Sequence, residues 1–450
     1  MATVAQINSL NASIQALQTS LTSLEGSTLT QSDANAFYLM VCGVFVFFMQ
    51  AGFALLEAGS VRSKNTKNIL MKNLLDACIG ALVWWGWGYG IAYDGGGSSG
   101  PDGNGFIGHG DGNQLGSFFT GSYDSTSASS GGDYAGWWFQ YVFCAAAATI
   151  VSGAMAERTT LIGYLVYTML LSGFVYPVVV YWTWGYGWAS SWNEGLLDFA
   201  GSGIVHMTGG IAALVGAAVV GPRKGRFDES SKPIPMPASN TTFQVLGTFI
   251  LWVGWYGFNP GSTLGLAGSA GTMSRAVCTT TLAAATGGCT VVVIDKFLIS
   301  HTWDVSMLCN GILAGLVSIT AGCAAVYPWA AIIIGFLGGF AYLAGSKTTL
   351  YICKVDDPLD AFAVHGCCGF WGVIAAALLA APEFGATGAF YGDGAKLVAG
   401  FVFCLANIAW TGGFMLITFI ILKATGLLRV SAEMEEAGMD VSKHGGSAFN

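Results

Sequence analysis

Two nine-residue stretches, DFAGSGIVH at 198–206 and DPLDAFAVH at 357–365, decide the fold. Each sets a histidine eight residues after an aspartate, at the head of a long apolar run. Ionisable side chains inside such runs are costly in lipid and mark candidates for function. The repeated D-x7-H predicts an internal duplication with five apolar runs in each half and an eleventh run appended. Because five is odd, the second copy must be inverted in the membrane.

Outward from these stretches, apolar runs bounded by Gly, Pro and charge lie near 37–58, 74–94, 136–155, 161–182, 202–221, 241–259, 275–295, 303–321, 328–346, 361–381 and 395–422. A membrane span needs about 20 apolar residues. Hydrophobic residues make up 53% of the 450-residue chain, and charged residues 9%, against about a quarter in an ordinary soluble domain. A cytosolic enzyme cannot be surfaced with so little charge. An aromatic content of 13% excludes disorder, and the 65 glycines follow no Gly-x-y period, which excludes collagen. The expected fold class is an all-α polytopic membrane protein: eleven transmembrane helices, as two inverted five-helix repeats plus one extra helix. The Gly and Ala content of the runs suits close helix packing in lipid.

Lys and Arg set the orientation. Of the 17 positive residues, only Arg275 and Lys396 fall on the side opposite the rest. The expected topology therefore has the N-terminus outside and the C-terminus cytoplasmic. Three regions follow: an extracellular amphipathic segment at 1–34, an eleven-span domain at 35–423 and a cytoplasmic tail at 424–450.

The N-terminal segment has no Lys or Arg and no continuous apolar core, so it is not a signal peptide. Ile7, Leu10, Ile14, Leu17, Leu21 and Leu24 form a heptad seam. It is expected to lie on the protein or membrane surface, or to form a short bundle between subunits. Asn11-Ala12-Ser13 is a glycosylation acceptor on the expected outer side, whereas Asn240-Thr241-Thr242 falls at a cytoplasmic boundary. The external segment 95–135 holds a G-x-G-x-x-G match at 103–108, which is expected to be a coincidence in a glycine-rich loop, since no strand precedes it. The eleven scattered cysteines show no Cys-x-x-Cys, so neither a disulfide framework nor a metal site is expected. There is no Walker motif, and no cofactor or nucleic-acid partner is expected.

The inverted repeat places the histidines. Asp198 stands at the outer end of its span and Asp357 at the inner end of its own. Eight helical residues rise about 12 Å, and the hydrocarbon core is about 30 Å thick. His206 and His365 thus approach the midplane from opposite faces, where inverted-repeat transporters hold substrate. The aspartates are expected to cap or brace their helices.

The stretches DFAGSGIVHMTGG, GWYGFNPGS, AERT, DDPLDAFAVHG and the tail LRVSAEMEEAGMDVSKHGG closely resemble the Amt/Mep/Rh ammonium transporters, nearest to the plant-type eukaryotic branch. The resemblance covers about residues 37–445. It implies a plasma-membrane homotrimer with one pore per subunit, carrying ammonium or ammonia and methylammonium, and not an enzyme. By position it implies that His206 and His365 are the paired pore histidines and that Phe143 and Phe258 are stacked over the pore. It further implies that Trp184 and Ser262 recruit the cation in an outer vestibule, with Asp198 beneath. It also makes the tail a regulatory element that docks on a neighbouring subunit, with Ser442 where relatives are phosphorylated by a kinase.

The chemistry suits this reading. Ammonium has the size of potassium, so size cannot select it. A Trp face attracts any cation, and Ser262 can accept an N–H. A dry pore sealed by Phe143 and Phe258 disfavours every bare ion, but ammonium can give up its proton and potassium cannot. Two alternatives remain open at this point: an ammonium sensor with residual transport, and an electroneutral Rh-like ammonia channel.

Overall fold

The computed structural model describes residues 3–25, 30–93, 105–108 and 130–448. Among these the chain is helical, and pairing between extended segments is limited to two isolated bridges, Thr159 with Arg429 and Phe227 with Pro233. A helical run stands at each of the eleven expected stretches. Among the described residues, eight runs are both long and apolar enough to cross a membrane: Gln31–Ser60, Ser63–Tyr93, Leu161–Glu194, Ser202–Val220, Ala270–Ile299, Pro328–Ile352, Phe362–Leu379 and Ala395–Ala424. Ser130–Ala154, Thr241–Gly261 and the shorter Val305–Thr320 occupy the remaining positions.

The second run begins well before the residue 74 expected from its apolar content. Its helix spans Thr66–Val83 and carries Asn68, Lys72, Asn73 and Asp76, all buried. Lys72 is therefore not in a cytoplasmic loop. Its ammonium donates to the Thr159 carbonyl at 3.0 Å and sits 5.2 Å over the Tyr164 ring. Asp76 accepts from the Tyr164 and Thr168 hydroxyls. Lys72, Asn73 and Asp76 each make at least one hydrogen bond inside the bundle, so the helix extends through residues that hydropathy alone would leave outside.

The N-terminal helix Val4–Glu25 is exposed over residues 4–20, Ile7, Leu10, Ile14 and Leu17 included. Asn11 lies on this exposed helix. The next helix starts with a reciprocal cap between Thr30 and Asp33. Of the glycine-rich match, only Gly105–Gly108 is described; Gly103 and Asn104, and most of the 95–135 loop, lie outside the described residues.

On the positive side the two halves are tied by a buried ionic cluster. Arg223 spans Asp356 with two donors, at 2.8 and 2.9 Å, and reaches Glu157 at 2.6 Å. Arg62 and Asn65 also bind Glu157. The cluster thus joins the segments after the first, third and fifth runs to the segment leading into the tenth. Such a paired arrangement is what allows charge to be buried at all. Burial alone would raise the Glu157 carboxyl, but the Arg223 and Arg62 guanidiniums outweigh it and hold the group below its ordinary value. Asp356 is held low in the same way by Arg223.

The tail packs against residues 64–68 and Lys224 of its own chain. Ser431 caps a helix at Ala432–Ala437, and a second turn covers Met439–Lys443. Asp440 accepts the Lys67 and Asn68 N–H groups, both at 3.0 Å, at the start of the Thr66–Val83 helix. Met439 N–H donates to Asn65, a neighbour of Glu157 in the cluster. Arg429 pairs with Glu435 at 2.8 Å. Ser442 is exposed, its hydroxyl donating to the Gly438 carbonyl at 2.8 Å.

Candidate functional site: a pore lined by aromatic rings and two histidines

The histidines ride on matched distortions. Asp198 accepts four backbone N–H groups, from Gly201, Ser202, Gly203 and Ile204, at 2.7–3.0 Å. These are the otherwise orphaned donors at the start of the helix that carries His206. Asp357 accepts from Leu359 and Phe362 at the start of the helix that carries His365. Both helices open with a π-helical turn, Ser202–Met207 and Phe362–Cys367, and each turn holds its histidine. Single π-turns of this kind are common at functional sites. A Cβ on Gly210 would lie 2.1 Å from the Gly366 nitrogen, so only glycine allows the two backbones to cross so closely.

The crossing brings the rings together. His206 Nδ1 and His365 Nδ1 are 3.2 Å apart, with ring centroids 5.3 Å apart and planes inclined 23°. One of the two nitrogens must carry the proton and the other accept it. Both side chains are buried, and His206 Nε2 is enclosed without a hydrogen-bond partner.

A file of rings continues outward from this pair. His206 stacks at 5.4 Å on Phe258, which stacks at 4.0 Å and 27° on Phe143, which meets Trp184 edge-on at 6.0 Å. Phe143 and Phe258 are 1% and 0% exposed, so this part of the path is closed by their rings. Beyond them lies a cavity of about 440 Å³ lined by Phe143, Trp184 and Ser262, with Phe139, Gln140 and Tyr93. Ser262 donates to the Phe258 carbonyl at 2.9 Å, which leaves its oxygen lone pairs toward the cavity. Trp184 is fixed by donation to the Asp198 carbonyl at 3.2 Å. The Asp198 carboxylate is not part of the cavity wall. Both its oxygens are taken by backbone donors, so it reaches the site through Trp184 and the His206 helix.

Inward of His365 a cavity of about 20 Å³ is lined by His365, Phe53, Glu57 and Asn310 among others. It shares Leu56, Asn310 and Leu359 with a wider cavity of about 470 Å³ that includes Asp360, Trp303 and Met236. Outer cavity, aromatic seal, histidine pair, narrow cavity and inner cavity follow in sequence.

The residues expected from sequence at the pore, His206, His365, Phe143 and Phe258, thus stand in one continuous file, with Trp184 and Ser262 at its mouth. Three others were missed. Trp255 stacks on His206 at 5.1 Å and 16°, its indole N–H held by Thr320 at 3.0 Å; its spacing of three from Phe258 on one helix was the available signal. Phe139 lies one turn from Phe143, 4.8 Å away. Glu57 carried the plainest signal, a carboxylate inside an apolar run. Among the described residues no group of three or more His, Cys, Asp or Glu side chains is arranged to hold a metal ion.

Comparison with known proteins places the chain among relatives of known family. "Ammonium transporter 1 member 2" of Oryza sativa subsp. japonica is 43% identical over 421 residues, 87% of this chain and 81% of that protein. "Ammonium transporter 1 member 1" of Arabidopsis thaliana is 43% identical over 88% of this chain and 81% of its own. Among solved structures, a "Sensor Amt Protein" superposes with a TM-score of 0.83 at 30% identity, covering 92% of this chain and 98% of its own. Saccharomyces cerevisiae Mep2 superposes with a TM-score of 0.76 at 29% identity, covering 89% of both chains. Residues 37–449 match the profile of the Ammonium Transporter Family. The chain is a multi-pass membrane protein of the ammonium transporter family.

Proposed function

We propose that this protein moves ammonium across the plasma membrane by recruiting NH4+ in the outer cavity, removing its proton and passing ammonia along the histidine pair. The observation that carries this reading is the sealed file Trp184–Phe143–Phe258–His206–His365. Trp184 and Phe143 offer ring faces and Ser262 an oxygen to a cation in the outer cavity. Past the stacked Phe143 and Phe258 rings, a bare ion has no polar ligand to replace its water. Ammonia needs far less, and the enclosed His206 Nε2 offers it a hydrogen bond. The Nδ1 contact leaves one ring with a bare Nε2, and that atom gives the released proton a place on the same two rings. The transport is then net electrogenic, carried as ammonia plus a separately moved proton. Potassium, which has no proton to lose, is refused.

The topology proposed with this mechanism has eleven spans, N-terminus outside, Asn11 on the external face and the tail in the cytoplasm. The subunit works in a homotrimer, each with its own pore, and the tail carries a kinase site at Ser442. The structural likeness to a protein named as a sensor keeps one second reading, ammonium sensing with residual transport. Expression in yeast lacking its own ammonium uptake separates the two. Growth on low ammonium together with uptake of labelled methylammonium supports transport; ammonium binding without uptake supports the sensor.

A further inference from the structure

The histidine pair has no use for a third ionisable group, yet one stands beside it. Glu57 is 1% exposed, in the last turn of the apolar Gln31–Ser60 helix, and lines the same narrow cavity as His365. Its carboxylate accepts from the Ser152 hydroxyl and from Asn73 Nδ2. No Lys, Arg or His lies within ion-pairing distance of it among the described residues. The ionisable groups on the elements packed around it are otherwise engaged. Lys72 donates to a backbone carbonyl, Asp76 accepts from two hydroxyls, and His365 meets His206. A buried carboxylate at the end of an apolar helix, with Lys72 near but not in direct contact, is expensive and marks function. The cavity between it and His365, about 20 Å³, exceeds the roughly 10–15 Å³ that one water requires.

We propose that Glu57 is the proton acceptor on the inner side of the histidine pair. The proposal rests on the reading that the proton and ammonia travel separately. A protonated His365 gives its N–H proton to a water in the narrow cavity, and that water gives one of its own to a Glu57 oxygen. The imidazole returns to neutral, the water is regenerated and Glu57 becomes a carboxylic acid. Ammonia meanwhile passes Leu56, Asn310 and Leu359 into the inner cavity. Glu57 then releases the proton to water there, and ammonia takes it up as ammonium, so one NH3 and one H+ leave as one NH4+. Oxidation states do not change at any step.

The test compares charge moved with molecules moved. Glu57→Gln removes the acid–base function while keeping the shape. Asn73 Oδ1, which has no partner now, can receive the new N–H by rotation of the Asn73 amide. Membrane current and labelled methylammonium uptake are recorded together in the full-length protein. The Gln variant is expected to lose about tenfold or more of its current, the scale of a missing acid–base group, while uptake persists; Glu57→Asp should recover part of the current. Glu57→Met, apolar and similar in volume, gives the same reading should the Gln variant not assemble. An unchanged ratio of charge to uptake in either uncharged variant overturns the proposal. Equal loss of both in a stably folded variant also overturns it, by assigning Glu57 to the permeation path itself. Absence of current in the wild type is a distinct result, which removes the underlying electrogenic reading.

Discussion

His206 and His365 touch through like atoms: the two Nδ1 nitrogens face each other at 3.2 Å, each delivered by a π-helical turn anchored on an aspartate. The contact forces opposite tautomers on the two rings. One ring then presents a bare Nε2 and the other an Nε2–H. Exchanging these roles takes two proton movements, one between the Nδ1 atoms and one at the Nε2 atoms, because the first alone would leave an imidazolate beside an imidazolium. Without any movement the neutral pair already offers a guest one acceptor and one donor.

An acid at either position should break this balance. His206→Glu or His365→Glu puts a permanent acceptor in the file and lowers the cost of a bare cation. Selectivity for ammonium over potassium is expected to fall by about tenfold or more, the scale of one relieved charge penalty. Current recorded in potassium alone measures it. If both single Ala variants kept wild-type current and selectivity, the paired role would be lost.

Asp198 should act through structure. Removing its carboxylate leaves four helix-start N–H groups unpaired, at about 1–3 kcal/mol for each buried donor. Asp198→Ala is therefore expected to nearly abolish uptake and to lower the melting temperature of the purified protein. Asp198→Glu should retain some of both. A folded Ala variant with normal ammonium current would remove Asp198 from the account.

Much of this was legible in the chain. The apolar runs and the D-x7-H repeat located the helices and both histidines, because lipid imposes long apolar segments and penalises every ionisable exception. Polar helix faces were not legible. Lys72 and Asn73 read as a loop until their partners on other helices were known. Glu57 was passed over although its position inside a span marked it. Trp255 could not be told from a packing residue, since only the crossing of two distant helices puts His206 against it. The roles implied for Trp184 and Asp198 came from family resemblance; the division of labour between them, ring face toward the cavity and carboxylate toward the backbone, came from the three-dimensional arrangement.

The buried ionic cluster predicts an acid limit to stability. Glu157 and Asp356 are held below their ordinary values, so they ionise more readily in the folded protein than in the unfolded chain. Their contribution is complete above the unfolded value and is lost as pH falls through the folded one. Thermal stability of the purified protein should be flat near neutrality and begin to fall below the ordinary Glu value of 4.5. Glu157→Gln should flatten the upper part of that fall. It should also lower stability at neutral pH, since Arg223 and Arg62 lose a shared partner. An unchanged profile would detach the cluster from folding.

Phosphorylation of the tail should close the pore. Ser442 lies two residues from Asp440, whose carboxylate holds the tail to the Thr66–Val83 helix. Adding nearly two negative charges beside it opposes docking. Release would also free Asn65, which links Met439 to the Glu157 cluster. Ser442→Asp is expected to reach the membrane, carry little current and suppress co-expressed wild type within a trimer. Normal transport by both Ser442→Asp and a chain cut after Arg429 would show that the tail is no gate.

The central claim is that a proton is taken from ammonium and that charge still crosses. Voltage-clamp recording of the wild-type protein during exchange of ammonium for potassium at equal concentration tests it most directly. The account predicts an inward current that saturates with ammonium and is absent in potassium. A potassium current of similar size, or ammonium uptake with no current at all, would contradict it.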